Sequence, residues 1–342
     1  MSDGERDVAR SVVAREVADA LGVSISTVSR AFTPDSVIAD TTRERVLRKA
    51  GELGYQPNPH ARSLKTNRSR IVAIVVSDLA NPFYPEVLTG LSEALEYNGF
   101  SVMLFCRHGA NTLDDAFRGA FRYQPDVVVA LAATMSSAAI DAAIAAGISV
   151  VLFNRYVPRS ASIAVTCDNE AGGEAVAHYL IDRRLTRLVY VAGDPDATTN
   201  RDREVGFIRA CRRRGLRPPR SVAAQRFTHD AGLAAGRLLL DRHRSEIDAV
   251  FCANDVLALG VLDALREREV GVPDELSVIG FDDIAMAAWA PYQLSTYRQP
   301  VEEMIAATAD VINELSRAGV AAGTRVSIPG RIVDRSTVRQ PT

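Results

Sequence analysis

The run V-V-A-R-E-V-A-D-A-L-G-V-S-I-S-T-V-S-R-A-F at residues 12–32 is compatible with few folds. Val13, Val17, Ala18 and Leu21 fall on one face of a short helix, and Gly22 then supplies the tight turn that stops it. Ser24 offers a side-chain oxygen to the free amides of a second helix, whose Val28, Ala31 and Phe32 point inward. Two short helices joined by a glycine-containing turn of about 3–4 residues make a helix-turn-helix. The second helix of that motif enters the DNA major groove N-terminus first, so Ser24, Ile25, Ser26, Thr27, Ser29 and Arg30 are candidate DNA contacts. A helix-glycine-helix corner also occurs in ordinary all-α cores, and the residues that follow decide between the two readings.

Thr41-Thr42-Arg43-Glu44 can form a capping box opening a third helix, with Val46, Leu47, Ala50 and Leu53 completing a three-helix core that ends at Gly54. From Thr41 to Arg70 stand Arg43, Arg45, Arg48, Lys49, Arg62, Lys65, Arg68 and Arg70 against only Glu44 and Glu52, an excess suited to phosphates beside a helix-turn-helix. The whole chain of 342 residues carries a net charge of only −2, so the basic character is local. At 47% hydrophobic it can bury a sizeable core, and its length suggests two or three domains. The charged start M-S-D-G-E-R-D is not a signal peptide and no apolar run is long enough to span a membrane, which points to the cytoplasm. Cys106, Cys167, Cys211 and Cys252 form no C-x-x-C pair and read as buried free thiols. His60, His108, His178, His229 and His243 show no ligand-like spacing, so neither a metal nor a cofactor is implied.

Gly54-Tyr55-Gln56-Pro57-Asn58-Pro59-His60-Ala61-Arg62-Ser63-Leu64-Lys65-Thr66-Asn67 completes a specific pattern. Together with V-A-D-A-L-G-V-S-I-S-T-V-S-R and T-T-R-E-R-V it resembles the headpiece and hinge of the LacI/GalR family of bacterial transcriptional regulators, and the resemblance covers essentially the whole chain. Residues 1–56 are then a helix-turn-helix headpiece behind a disordered lead-in at 1–11, and residues 57–69 are a hinge. The hinge is too short for a stable isolated helix and should be unfolded off DNA. The resemblance implies that two hinges pair over the operator centre, become helical and wedge a leucine into the minor groove. By motif position this is Leu64, flanked by Ala61 and Lys65, while His60 reads as a solvent-facing substitution.

From Ile71 the periodicity changes. Ile71–Val76 is a continuous apolar run, as a strand buried on both faces should be, and strands at 101–105, 127–131 and 150–153 alternate with helices near 85–97, 113–123 and 138–146. A second series begins near Ala164, with strands at 188–192, 222–226, 249–252 and 277–281 between helices at 173–183, 203–214, 231–243 and 256–266. A helix at 301–317 returns to the first lobe, and short strands around Val326 and Arg331 are assigned to the second. The expected fold is thus a small all-α headpiece followed by a two-lobed α/β sensor at 70–342. The first lobe takes about 70–155 and 299–323, the second about 156–298 and 324–342. Such lobes enclose a ligand cleft between the carboxyl ends of two sheets. The arrangement resembles the type I periplasmic-binding-protein fold that the family carries as its sensor.

The resemblance carries particular residues into that cleft. Phe83 and Tyr84, in N-P-F-Y after the first strand, would stack on the ligand or pack into the core. Asn154, in F-N-R, replaces the family's aspartate and can donate as well as accept. One arginine of Asn200-Arg201-Asp202-Arg203 should grip a hydroxyl or carboxylate, with Arg201 favoured and Arg203 on the surface. In C-A-N-D, Asn254 would present its amide while Asp255 caps the next helix. In G-F-D-D, Asp282 would accept from hydroxyls, and Trp289 would form an aromatic floor or plug the inter-lobe crossing. Arg184-Leu185-Thr186-Arg187-Leu188 departs from the family's G-H-x-x-I and reads as a local surface change.

The implied function is a repressor that works as a homodimer on a pseudo-palindromic operator. Arg30 would read a guanine and Ile25 a thymine methyl, and a sugar or sugar derivative between the lobes would control affinity, with a non-sugar effector such as a nucleobase as the alternative. No heptad-patterned tail follows Arg335, so a dimer rather than a tetramer is expected. A periplasmic solute-binding protein would share residues 71–342 but has no use for a helix-turn-helix. An enzyme would need a nucleotide loop, a nucleophile elbow or a metal motif, and G-x-G-x-x-G, G-x-x-x-x-G-K-[ST], G-x-S-x-G and H-E-x-x-H are all absent. Leu64→Ala is expected to weaken operator binding and straighten the bound duplex, measured by circular-permutation gel shift; an unchanged bend removes the wedge.

Overall fold

The computed structural model describes residues 12–33, 36–56, 68–77, 79–106, 112–131, 137–317 and 320–341. The lead-in and hinge residues 57–67, with Ala61, Leu64 and Lys65, lie outside the described residues, as do Asp78 and His108. The chain divides into two compact units, Met1–Ser69 and Arg70–Thr342.

The first unit contains α1 (Ala14–Leu21), α2 (Ile25–Ala31) and α3 (Asp40–Leu53). Gly22 sits at φ 64°, a left-handed conformation cheap only for glycine, and its N–H returns to the carbonyls of Ala18 and Asp19. Two residues later the Ser24 hydroxyl accepts the Thr27 N–H at 3.1 Å and starts α2. Val17, Ala18, Val28, Ala31, Val46 and Ala50 form the core, with Leu21, Phe32, Leu53 and Tyr55 packed around it. Two expectations fail locally. α3 begins at Asp40 with Ala39 in the capping position and no side-chain cap, so Thr41 and Glu44 lie within the helix instead of forming a box. Val13 and Leu47 are exposed; Val13 stands before α1 in an extended capping position and not on its inner face.

The second unit holds two six-stranded sheets, each with helices on both faces. In the first, β1 (Ile71–Val76), β2 (Ser101–Cys106), β3 (Val127–Leu131), β4 (Ser149–Phe153), β5 (Ile163–Cys167) and β11 (Arg325–Ile328) lie in the order β11-β5-β4-β3-β1-β2, all parallel. The second sheet has the order β12-β10-β9-β8-β6-β7. Its members are β6 (Leu188–Ala192), β7 (Arg220–Ala223), β8 (Ala249–Cys252), β9 (Ser277–Asp282), β10 (Ser295–Arg298) and an antiparallel edge strand β12 (Arg331–Val333). The runs of β1, buried beyond Ile71, and of β3, β6 and β8, buried throughout, have the bounds their apolar stretches predict, because a strand covered by helices on both faces needs no polar alternation.

The helices α4 (Phe83–Tyr97), α5 (Leu113–Ala120), α6 (Ser137–Ala145) and α11 (Val301–Leu315) belong to the first lobe. The second lobe has α7 (Asn169–Ile181), α8 (Thr198–Arg213), α9 (His229–His243) and α10 (Asp255–Glu267). The lobe boundaries differ from the sequence reading at two places. Ile163–Cys167 and the strand at Val326 both belong to the first sheet, where β11 pairs with β5, so the first crossing follows Cys167 and not Asn154. An apolar run states that a strand is buried but not in which sheet. The polar strand β10, buried at Ser295 and Thr296, has no apolar run to announce it. Three crossings therefore join the lobes, at 167–169, 298–301 and 328–331.

α7 and α8 touch through glycines. A Cβ on Gly173 would stand 2.1 Å from the Arg203 carbonyl oxygen, and one on Gly206 would stand 2.0 Å from that of Glu170. The two helix backbones are thereby fixed at close range, which sets the depth at which the first turns of α8 enter the cleft.

Candidate functional site

In the headpiece unit, α2 exposes Ile25, Ser26, Ser29 and Arg30, while Val28 and Ala31 turn into the core. Ser24 and Thr27 are engaged in the cap itself, their hydroxyls 2.8 Å apart, with Ser26 reaching Ser24 at 2.7 Å. The basic excess around this helix is smaller than the sequence count. Arg43 is half-buried and its guanidinium donates to the carbonyls of Ala31, Thr33 and Ser36 at 3.1 Å, so it braces the end of α2 rather than meeting phosphate. Lys49 is paired with Glu52 at 3.0 Å. Arg70 begins the second unit, donating to the Asn98 carbonyl beside the Phe100 ring. Arg45 and Arg48 are left as exposed cations on α3.

In the second unit a pocket opens at the carboxyl ends of the strands, lined by Asn81, Phe83, Tyr84, Asn154, Arg155, Thr199, Arg203, Phe227, Asn254 and Asp282. Five expected residues, Phe83, Tyr84, Asn154, Asn254 and Asp282, are brought together here. Phe83 is almost wholly in the core and lends only an edge, meeting Tyr84 ring-to-edge at 5.6 Å. Asn154 and Asp282 hold backbone φ of 60° and 123°, conformations that cost non-glycine residues energy and gather at functional sites. Asn154 is nearly buried, and its Oδ1 has no hydrogen-bond partner among the described residues.

Arg203, not Arg201, lines the pocket. Its guanidinium is 2% exposed and lies 3.7 Å over the Phe281 ring. Nε donates to Asn169 Oδ1 at 2.8 Å, Nη1 to the Ala253 carbonyl at 2.6 Å, and Nη2 pairs with Asp282 at 3.3 Å. Arg201 is half-exposed on another face of α8, bonded to Asp202 at 2.9 Å and to the Tyr156 hydroxyl at 2.5 Å. Residues two apart on a helix point about 200° away from each other, so only one can face the cleft. The signal that separates them is Gly206-Phe207: three and four residues beyond Arg203, they share its face, and Phe207 is fully buried.

The capping role expected of Asp255 falls to Asn254, which also lines the pocket, while Asp255 does not. Asn254 Oδ1 accepts the Leu257 N–H at 3.0 Å as the cap of α10, leaving its Nδ2 as a donor. Asp255, wholly buried, accepts the Thr296 hydroxyl at 2.6 Å and the Ile284 N–H at 2.9 Å, tying β10 to the chain beyond β9. Burial pushes the carboxyls of Asp255 and Asp282 upward, and for Asp282 the neighbouring Arg203 and the Gln299 amide oppose that rise. Burial also lowers the pKa of Arg155. Trp289 is outside the lining and 54% exposed after the short turn at 285–288, so it is neither floor nor plug. Sequence reasoning missed Asn81, Arg155, Thr199 and Phe227. Of these Phe227 had a signal in Gly193, where a Cβ would stand 2.2 Å from its ring.

A helix-turn-helix unit combined in one chain with a two-lobed cleft defines a ligand-responsive DNA-binding regulator. The description "Bacterial regulatory proteins, lacI family" matches residues 14–58, and "Periplasmic binding protein-like domain" matches residues 177–338. The regulator DegA of Bacillus subtilis is 32% identical over 326 residues, covering 94% of this chain and 96% of its own. A solved complex of the regulator CelR with cellobiose is 28% identical, with a TM-score of 0.70 over 95% of this chain and 99% of that one. The lac repressor dimer bound to operator superposes with a TM-score of 0.84 over 97% of this chain and 100% of that one; at 21% identity that likeness shows the fold. The chain belongs to the lacI family of bacterial transcriptional regulators.

Among the described residues no group of His, Cys, Asp and Glu could hold a metal ion, and no helix is long and apolar enough to cross a membrane. Removing the Arg43 guanidinium strips several charge-assisted bonds from the end of α2, each worth about 1.5–3 kcal/mol. Arg43→Ala should therefore unfold the headpiece at lower temperature and weaken binding to operator and random DNA alike. A headpiece melt unchanged within a degree, read by circular dichroism, would contradict this.

Proposed function

We propose that this regulator is a homodimeric repressor acting in the cytoplasm, whose operator affinity is set by a sugar or sugar derivative held between the lobes. One observation carries the effector class: Asn154, Arg203, Asn254 and Asp282 line a single pocket beside Tyr84 and Phe227, and Asn154 Oδ1 has no partner among the described residues. Ring hydroxyls both donate and accept, matching a mixed donor and acceptor set, while an apolar sugar face suits the aromatic walls. Three of the five N–H donors of Arg203 are used inside the protein, so two are left to a ligand. The relative solved with cellobiose in its complex supports the same class.

The cleft supports binding without turnover. Its described carboxylate, Asp282, is buried against Arg203 and Gln299, which suits an acceptor more than an acid-base catalyst. On DNA, two headpieces read the two halves of a pseudo-palindrome, with Ile25, Ser26, Ser29 and Arg30 at the base edges and Arg45 and Arg48 available to phosphates. A full-length thermal-shift screen with cellobiose, ribose, gluconate and adenosine tests the effector class. A sugar or gluconate should stabilise the protein, Arg203→Ala should abolish the shift, and Arg201→Ala should keep it; a response to adenosine alone overturns the reading. On the DNA side, Arg30→Ala should cost about 1–3 kcal/mol against the selected operator while barely altering random-duplex binding, and equal losses on both would contradict base reading.

A further inference from the structure

At the first crossing, the first side chain of a second-lobe helix reaches back to the first lobe. Cys167 ends β5, and the Asp168 N–H donates to the Ile328 carbonyl at 2.8 Å, so β5 and β11 leave the first sheet side by side. Asp168 then caps α7, accepting the Ala171 N–H at 3.1 Å. Asn169, the first residue of that helix, is 2% exposed and lies outside the pocket lining. Its Nδ2 donates to the Cys167 carbonyl at 3.0 Å, and its Oδ1 accepts Nε–H of Arg203 at 2.8 Å. One amide thus joins the last residue of a first-lobe strand to the guanidinium in the cleft.

The other partners of Arg203 cannot make that link. Ala253 and Asp282 both stand on the second lobe, at the ends of β8 and β9, and move with α8. The Nε bond leads through Asn169 to the first crossing, while the bond from Gln299 to Asp282 reaches the second. Because α7 and α8 are held backbone to backbone at Gly173 and Gly206, they cannot slide past one another to absorb a change at Arg203. A rotation of the guanidinium disturbs the Asn169 amide, which is bonded in turn to the end of β5.

We propose that Asn169 is a positioning residue that holds Arg203 at its Nε and passes displacement of the guanidinium to the β5–α7 crossing, linking the cleft to the first lobe. This rests on Arg203 as the effector-gripping group. Both halves of the amide are needed: the oxygen for Arg203 and the nitrogen for Cys167. Aspartate at this position keeps the acceptor and loses the donor, whereas alanine loses both.

The test needs no effector. A double-mutant cycle on full-length protein, with Arg203→Ala and Asn169→Ala, is read as the affinity for a duplex selected from random sequence by the wild-type chain. Each single change should shift that affinity by about fivefold or more, and the double should equal the larger single, because both cut the same link. Asn169→Asp should behave as Asn169→Ala; restored wild-type affinity with Asp would mean a brace for Arg203 alone and would overturn transmission. Additive effects, or affinities unchanged within twofold, overturn the proposal outright. Should Asn169→Ala show no cooperative melt, the cycle is read with Asn169→Asp in its place. Failure of the effector reading shows itself separately, as a sugar-induced thermal shift that survives Arg203→Ala.

Discussion

The buried contact between Arg203 and Asp282 is the interaction on which the cleft depends. Taking either charge out of water costs several kcal/mol, and the pair is tolerable only because each member has further partners. Arg203 has the Asn169 amide, the Ala253 carbonyl and the Phe281 ring, and Asp282 has the Gln299 amide at 2.7 Å. These partners come from the start of α7 and from the ends of β8, β9 and β10, so the pair can exist only when two of the three crossings and the second sheet are assembled. The same contacts fix the guanidinium of Arg203 in one orientation at the pocket wall.

Much of the architecture was legible because both principal devices are local. Gly22 and Ser24 stop one helix and start the next within three residues, and apolar runs such as Val127–Leu131 mark strands covered on both faces. What was not legible depends on pairing between distant segments. Nothing in Ile163–Cys167 states that it lies between β4 and β11 and not in the second sheet. Ser295–Arg298 is held by strand neighbours and by Asp255, not by hydrophobicity of its own.

The candidate site shows the same division. Asn254 and Asp282 were found from motifs, but their partners were not, because an N-cap and an ion pair depend on where the helix begins and what stands opposite. Arg201 and Arg203 differ only by which side of α8 packs on α7. That choice was written in Gly206 and Phe207, whose spacing from Arg203 marks the inward face. The charge run from Thr41 to Arg70 overstated the phosphate-facing surface because Arg43, Lys49 and Arg70 are committed to protein partners, which a count of charges cannot register.

If cleft and headpiece are coupled, effector and operator must change each other's affinity by one factor, since both bias the same conformational equilibrium. The most direct measurement is calorimetric titration of the sugar that stabilises the protein, performed once on free protein and once on protein saturated with its operator. The account predicts two effector affinities that differ by about fivefold or more, by the same factor that the effector changes operator affinity. Equal effector affinities in the two titrations would contradict it, leaving a cleft that binds without governing DNA.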